Sequence, residues 1–267
     1  MTMPHALVLG VSRGSIELKQ FFRERSSVVF TFAFPAVLLF LLGSVFDQSA
    51  GLGSVGGGQV LTASFAAAGI VSTSFVNLGT AIAVERDDGT LKRLRSLPMP
   101  PVSFFLGKIV LVVVASIAEL VLLLAIGVLM FDVTLPSGLG SWITMAWLFV
   151  LGVTSCSLLG IAASSLARSA RSAGAMTTLP YTVLLFISGV YVPLGNVPDW
   201  MASIGAVFPV KWLAQGFRAA LLPDHMAAQE PVGQWELGRT ALILALWCLG
   251  GLLLCLTTFR WRSSLTR

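Results

Sequence analysis

Charged residues are scarce in this chain. They make up 11% of its 267 residues, whereas hydrophobic residues make up 56%. A typical soluble domain is about 25% charged, and a soluble core of this size could not bury so much apolar surface. The mean hydropathy of +0.89 suits a chain whose solvent is a lipid bilayer. The composition therefore predicts an all-α membrane protein with one transmembrane domain over residues 1–267.

The residue types that build metal and catalytic sites are also scarce. The chain has three cysteines and two histidines, which are Cys156, Cys248, Cys255, His5 and His225. None of the cysteines has C-x-x-C spacing, and metal ligands normally come in convergent groups of three or four. No set of serine, histidine and acid can be assembled on one side of a membrane. We therefore predict no catalytic, cofactor-binding or metal-binding residues in this chain.

Long apolar segments dominate the rest of the sequence. About 20 apolar residues suffice to cross a bilayer as a helix. Six such segments, numbered 1 to 6, cover residues 27–46, 60–84, 102–131, 142–166, 173–192 and 240–259. Residues 4–25 precede them and form an amphipathic pattern, which predicts a helix lying in the membrane interface. Residues 193–239 predict short extracellular or re-entrant helices rather than a further span.

Basic residues predict the orientation of these segments. If the N-terminus is cytoplasmic, the only basic residues in outside loops are Lys211, Arg218 and Arg239. Cytoplasmic loops normally carry an excess of lysine and arginine. The sequence therefore predicts a multi-pass protein of the bacterial cell membrane with both termini cytoplasmic. The net charge of +5 follows from this topology, and no nucleic-acid motif accompanies it.

Two charges and one stripe of small residues stand out inside the segments. Glu119 lies near the middle of segment 3, where a charge costs about 2.5–3.5 kcal/mol. It is a candidate for the translocation path, or else an internal hydrogen-bonding residue. Lys108 is too distant to pair with it, so we expect Lys108 to extend to the cytoplasmic interface. Small residues recur every fourth position in segment 4 and predict close helix packing: Gly152, Cys156, Gly160 and Ser164.

The most informative stretch is residues 85–98, between segments 2 and 3, which read ERDDGTLKRLRSLP. Asp87 or Asp88 can cap a short helix there. Leucines at i, i+3 and i+6 share one side of that helix: Leu91, Leu94 and Leu97. The sequence predicts a short amphipathic cytoplasmic helix. Its leucine face indicates docking of a soluble partner, and the alternative is a loop that folds back on lipid phosphates.

This stretch resembles the cytoplasmic loop of ABC-2 type transporter permeases, where a Glu-Arg-Glu-x-Gly-Thr-Leu-like motif leads into a coupling helix. Here Asp87 stands where the family often has glutamate. Residues 208–212, with Gly216 and Arg218, are similar to the region before the family's last span. The proline-marked exit at residues 189–198 and the N-terminal amphipathic helix are similar as well. The resemblance covers nearly the whole chain.

The resemblance implies an exporter in which two permease subunits dock on two ATPase subunits that bind ATP and magnesium. The chain itself lacks a P-loop, because Val102 stands where that motif needs a glycine before Gly107-Lys108. ATP hydrolysis is therefore expected in a separate subunit. The residues that the resemblance assigns to coupling with the ATPase are Glu85, Arg86, Asp87, Gly89, Thr90, Leu91, Leu94 and Leu97.

The cargo stays open at this stage. Only two tyrosines, Tyr181 and Tyr191, are available for sugar stacking, so the sequence favours an amphiphilic or hydrophobic drug or lipid over a lipid-linked glycan. The second permease can be identical or different. A self-sufficient channel or secondary transporter would need an ion relay, and Glu119 alone makes a poor one. A membrane scaffold without transport is a further alternative.

Overall fold

Continuous apolar runs fold into helices here, because a helix satisfies its own backbone hydrogen bonds where water is absent. The computed structural model describes residues 3–49, 55–96, 101–167, 169–192 and 197–258. Every regular element within these ranges is helical. Five of the described helices are long and apolar enough to cross a membrane: Arg25–Phe46, Gly57–Asp87, Val102–Phe131, Leu139–Leu166 and Leu237–Thr258.

Helix α1, Met3–Arg23, precedes the first of these five spans. That span comprises α2, Arg25–Val28, a π-helical turn, Val29–Ala33, and α3, Phe34–Ser49. The second span has the same design, with α4, Gly57–Val71, a π-helical turn, Ser72–Asn77, and α5, Leu78–Asp87. A π turn inserts an extra residue into the helical ladder and is frequent at functional sites.

The middle of the chain contains a short helix and three longer ones. They are α6, Thr90–Ser96, α7, Pro101–Phe131, α8, Leu139–Leu166, and α9, Ala170–Ile187. Segment 5 of the sequence corresponds to α9, which is helical but is not among the five apolar spans. Its 18 residues include Arg171 and Pro180. The count of six spans therefore stays a prediction.

The last part of the chain contains α10, Asp199–Gly205, α11, Pro209–Leu221, a 3-10 turn, Asp224–Gln229, and α12, Leu237–Thr258. Helix α11 is almost entirely buried and packs antiparallel to α8. A Cβ added at Gly152 would lie 2.7 Å from Leu213, and one added at Gly216 would collide with Leu148. Leu213 of α11 therefore fills the space beside Gly152 of α8, and Leu148 of α8 fills the space beside Gly216 of α11.

The small-residue stripe of α8 packs inside the chain. A Cβ on Gly160 would lie 2.8 Å from the carbonyl oxygen of Phe75, and a Cβ on Gly79 would lie 2.9 Å from that of Gly160. The backbones of α8 and the second span thus touch directly, as the stripe predicts. The residues of the stripe are buried by this chain's own helices.

Helix α1 packs along the first half of α7. Its Gly10 and Gly14 lie against Leu106 and Val110, where an added Cβ would come within 2.7 Å of either side chain. The opposite side of α1 is exposed and carries Val8, Val11 and Phe22 as well as polar residues. This arrangement is consistent with an amphipathic helix that has both a protein face and an outer face.

Candidate functional site

The predicted coupling segment begins at the end of the second span, where Glu85 takes part in a buried ion-pair cluster. The Lys108 ammonium lies 2.7 Å from Glu17 Oε2 and 2.5 Å from Glu85 Oε1. Arg13 Nη2 lies 2.8 Å from Glu17 Oε1. The cluster therefore connects α1, α5 and α7 through one lysine, whose side chain is 2% exposed.

The position of Lys108 corrects our expectation that it extends to the interface. Its ammonium also lies 5.7 Å from the ring centroid of Phe104. Two carboxylates and an aromatic ring are within its reach, so its charge is compensated by protein instead of water. The sequence did not reveal this link because Glu17, Glu85 and Lys108 belong to three separate segments.

Arg86 fastens the same segment to α8. Its guanidinium is buried and donates from Nη2 to the carbonyl oxygen of Ala167, the residue that follows α8. Carbonyl groups at a helix C-terminus lack partners in their own helix and carry partial negative charge, so a cation suits them. Glu85 therefore reaches α1 through Lys108, whereas its neighbour Arg86 contacts the end of α8.

Helix α6 follows through a tight turn. Asp88 Oδ1 accepts the backbone N–H of Thr90 at 2.8 Å, so Asp88 caps the start of α6 as the sequence predicts. Gly89 between them has a φ of +80°, a left-handed conformation that glycine adopts without strain. Asp87 is exposed on the last turn of α5. These residues form the turn that separates α5 from α6.

The leucine face of α6 lies against this chain. Leu91 is 0% exposed and belongs to the main core, and Leu94 packs partly buried against it. An apolar side chain that can pack on its own bundle does so, because that removes it from water. Direct contact of Leu91 with a partner is therefore not available in this conformation. Lys92, Arg93 and Ser96 form the exposed face, while Leu97 lies outside the described residues.

Glu119 occupies the interior of the bundle and is 0% exposed. The Thr73 hydroxyl, in the π turn of the second span, donates to Glu119 Oε2 at 2.5 Å. On the other side, a Cβ on Gly69 would lie 2.8 Å from Glu119 Oε1, so the helices close tightly around the carboxyl group. Glu119 Oε1 has no hydrogen-bond partner in the described part of the chain.

The hydrogen bond from Thr73 to Glu119 is one of several polar contacts that follow one another along the second span. Arg218 donates to the hydroxyl of Ser64, Tyr181 to the carbonyl oxygen of Ala68, and Asn77 to the hydroxyl of Thr31. Thr80 and Glu85 make further contacts of this kind, with Thr177 and Lys108. We call this series the polar ladder. Its residues on the second span are Ser64, Ala68, Thr73, Asn77, Thr80 and Glu85.

The polar ladder joins the second span to most of its neighbours. Its partners lie on the first span, α7, α9 and α11. Hydrogen bonds between helices hold membrane bundles together because apolar side chains gain little by leaving lipid. The link between Asn77 Nδ2 and Thr31 Oγ1, at 3.0 Å, connects the π turns of the first two spans. The partners of these polar residues lie in other segments, so the sequence of the second span does not reveal them.

A second buried ion pair lies at the opposite end of the bundle from α6. Arg218 Nε lies 2.7 Å from Glu230 Oε1, and its Nη1 also donates to the carbonyl oxygen of Gly189 at 3.2 Å. With the contact to Ser64, one guanidinium connects α4, the exit of α9, α11 and the segment before α12. Arg218 also borders a cavity of about 40 Å³, which Glu230 and Trp235 line as well.

A short helix capped by Asp88 follows the second span, and Glu85 lies in the ion-pair cluster just before it. A family model described as "ABC-2 type transporter" matches residues 14–222. The chain belongs to the ABC-2 type transporter family. The match includes α6 and α11 and ends before α12, so of the site residues described above Arg13, Glu230 and Trp235 lie outside it.

Curated relatives of this ABC-2 transporter domain include a protein of Escherichia coli K12 described as "Probable multidrug ABC transporter permease YbhR". The chain is 24% identical to it over 159 residues, which are 58% of this chain and 42% of that protein. The protein of the same description from Escherichia coli O157:H7 matches equally. The matched stretch thus spans less than half the length of these relatives. By family, the chain is a membrane domain of the ABC-2 transporter type.

Proposed function

We propose that this chain is the permease subunit of an ATP-driven exporter that moves amphiphilic or hydrophobic compounds out across the cell membrane. It would pair with a second permease, identical or related, and dock on two ATPase subunits that bind ATP and magnesium. The proposal rests mainly on the Glu85–Leu91 segment, because its residues anchor α6 to three other helices. The multidrug description of the relatives in Escherichia coli favours a drug-like cargo over a lipid-linked glycan.

The geometry of α6 supports a coupling role for this helix. Glu85 is tied to α1 and α7 through Lys108, and Arg86 is tied to α8. A force applied to the exposed face of α6 would therefore reach several helices without bending the short helix itself. We infer that Leu91 and Leu94 hold α6 on the bundle, while Lys92 and Arg93 contact the ATPase.

The proposal is tested by searching the genes beside this one for a P-loop ATPase and coexpressing that ATPase with the chain. We expect the double substitution Lys92→Ala/Arg93→Ala to weaken association with the ATPase by at least about 10-fold. Each exposed cation lost from an interface costs about 1 kcal/mol or more when it is hydrogen-bonded to a partner. Copurification, ATP hydrolysis and efflux of ethidium from vesicles should decline together.

The matched control is Lys19→Ala/Arg23→Ala on α1, which removes the same charge from another exposed surface. This control should keep the ATPase bound. If both double variants lose the ATPase equally, the basic face of α6 is not the docking surface. If the unaltered chain moves ethidium without any ATPase, the alternative of a self-sufficient channel or secondary transporter replaces the proposal.

A further inference from the structure

The surface around Trp212, in the first turn of α11, gathers two cations. The Lys211 ammonium lies 4.7 Å from the centroid of the Trp212 ring, and the guanidinium carbon of Arg239 lies 5.7 Å from the same ring. Arg239 Nη1 pairs with Glu236 Oε1 at 2.8 Å. In the described part of the chain, no oxygen lies within hydrogen-bonding or ion-pair distance of the Lys211 ammonium.

Lys211 is therefore a buried cation that contacts an aromatic ring but has no hydrogen-bonding or ion-pair partner among the described residues. Only 8% of the residue is exposed, and burial lowers the pKa of its ammonium, while the more distant carboxylates Glu236 and Glu230 oppose this change. Taking a charge out of water is costly unless an opposite charge compensates it. Lys211 and Arg239 also lie in the first turns of α11 and α12, where helix dipoles add positive potential.

The surroundings of this cation pair are apolar. Val207 and Ile204, just before α11, are exposed. On α12, Leu242 and Leu246 follow Arg239 at i+3 and i+7, so they share its face, and both are exposed. A ligand that contacts the cations can therefore continue along an exposed apolar surface in the direction of the α12 C-terminus.

We propose that Lys211 and Arg239 bind the phosphodiester group of a membrane phospholipid, with an acyl chain lying along Leu242 and Leu246. Lysine and arginine are the usual phosphate ligands in proteins. A free phosphate ion would satisfy the two cations but leave the apolar surface uncovered. The site does not depend on the ATPase or on transport.

The test is native mass spectrometry of the purified full chain in detergent, titrated with dioleoylphosphatidylglycerol. We expect Lys211→Gln/Arg239→Gln to weaken binding of the tightest lipid by at least about 10-fold, because the charge-assisted hydrogen bonds to the phosphate are lost. Lys211→Arg, which keeps the charge, should retain the lipid. The matched control Lys19→Gln/Arg23→Gln removes two exposed cations from α1 and should not change the tightest binding.

Arg239→Gln alone guards against misfolding of the double variant, because the Arg239 side chain is 63% exposed and the substitution removes little buried contact. It should fold normally and weaken the lipid measurably. Unchanged lipid binding in both variants would overturn the proposal and leave Lys211 and Arg239 as structural cations. Displacement of the lipid by excess inorganic phosphate would also overturn the proposal, because the site would then bind a free anion instead of a phospholipid. Each outcome is read without any transport assay.

Discussion

Glu119 is held in the interior by one hydroxyl group and one glycine. Thr73 donates to its Oε2, and Gly69 leaves just enough room for the carboxyl group. The second carboxyl oxygen has no partner among the described residues. An ionisable group at this depth is costly, so its role is either to hold the helices together or to meet a cation from the cargo.

Glu119→Gln separates these roles. We expect the variant to fold normally, because the amide oxygen can still accept the hydrogen bond from Thr73. If Glu119 lies on the translocation path, export of the cation ethidium should fall by about 10-fold or more, since an amide cannot compensate the positive charge; that is roughly 1.4 kcal/mol. Efflux of the neutral dye Nile red is the control and should persist. Equal efflux of both dyes at unaltered rates would assign Glu119 to structure alone.

At the scale of helices, Lys108 connects three elements that the sequence keeps far apart. It reaches α1 through Glu17 and α5 through Glu85, and it is itself part of α7. Removing one member of a buried ion cluster leaves the remaining charges uncompensated, which costs more than the cluster contributes by itself. The anchoring of α1 therefore depends on this single side chain as much as on the close contacts of Gly10 and Gly14.

Lys108→Met tests this dependence. We expect the substitution to destabilise the chain by about 3 kcal/mol, with release of α1 before the rest of the bundle unfolds. Thermal unfolding in detergent and the rate of proteolysis after Lys19 are the measurements. The double variant Glu85→Gln/Lys108→Met should recover much of the loss, because Glu17 keeps Arg13 as its partner and no other charge of the cluster is left uncompensated. A single variant as stable as the unaltered chain would contradict the anchoring role.

At the scale of the whole molecule, the two ends of the bundle differ in charge. The α6 end carries most of the exposed cations, including Lys19, Arg23, Lys92 and Arg93. The three basic residues that the sequence assigned to the opposite side are Lys211, Arg218 and Arg239, and each of them contacts an aromatic ring or a carboxylate. The exceptions to the charge asymmetry are therefore residues with specific partners.

This asymmetry predicts which end faces the cytoplasm. In a chain whose cysteines are replaced, Ser15→Cys on α1 and His225→Cys near the opposite end both introduce exposed thiols. With a maleimide that does not cross membranes, we expect intact cells to label the thiol at position 225 and to protect the thiol at position 15. Permeabilised cells should label both. The reverse pattern in intact cells would show that the orientation read from the basic residues is wrong.

Much of the fold was readable because its signals are local. Apolar length predicted the long helices, and the Asp88–Gly89–Thr90 turn predicted where α6 begins. The small residues around Gly160 predicted close packing. The membrane role of α9 stays a prediction, since a helix with Arg171 and Pro180 gives a weak apolar signal, and so do the interfacial position of α1 and the orientation of the spans. The candidate coupling residues were recognisable from a local motif. The side of α6 that is exposed was not, because it depends on the helices that pack against α6.

The sequence by itself determined that this is a helical membrane protein with a capped motif after the second span, because hydropathy and turn chemistry act over a few neighbouring residues. Only the tertiary structure decided which groups pair. The contacts of Lys108 with Glu17, Thr73 with Glu119, and Arg218 with Ser64 join residues 91, 46 and 154 positions apart. The tertiary structure also decided that Leu91 is buried and Lys92 exposed. A leucine face can pack on a partner or on its own bundle, and only the position of the neighbouring helices selects between the two.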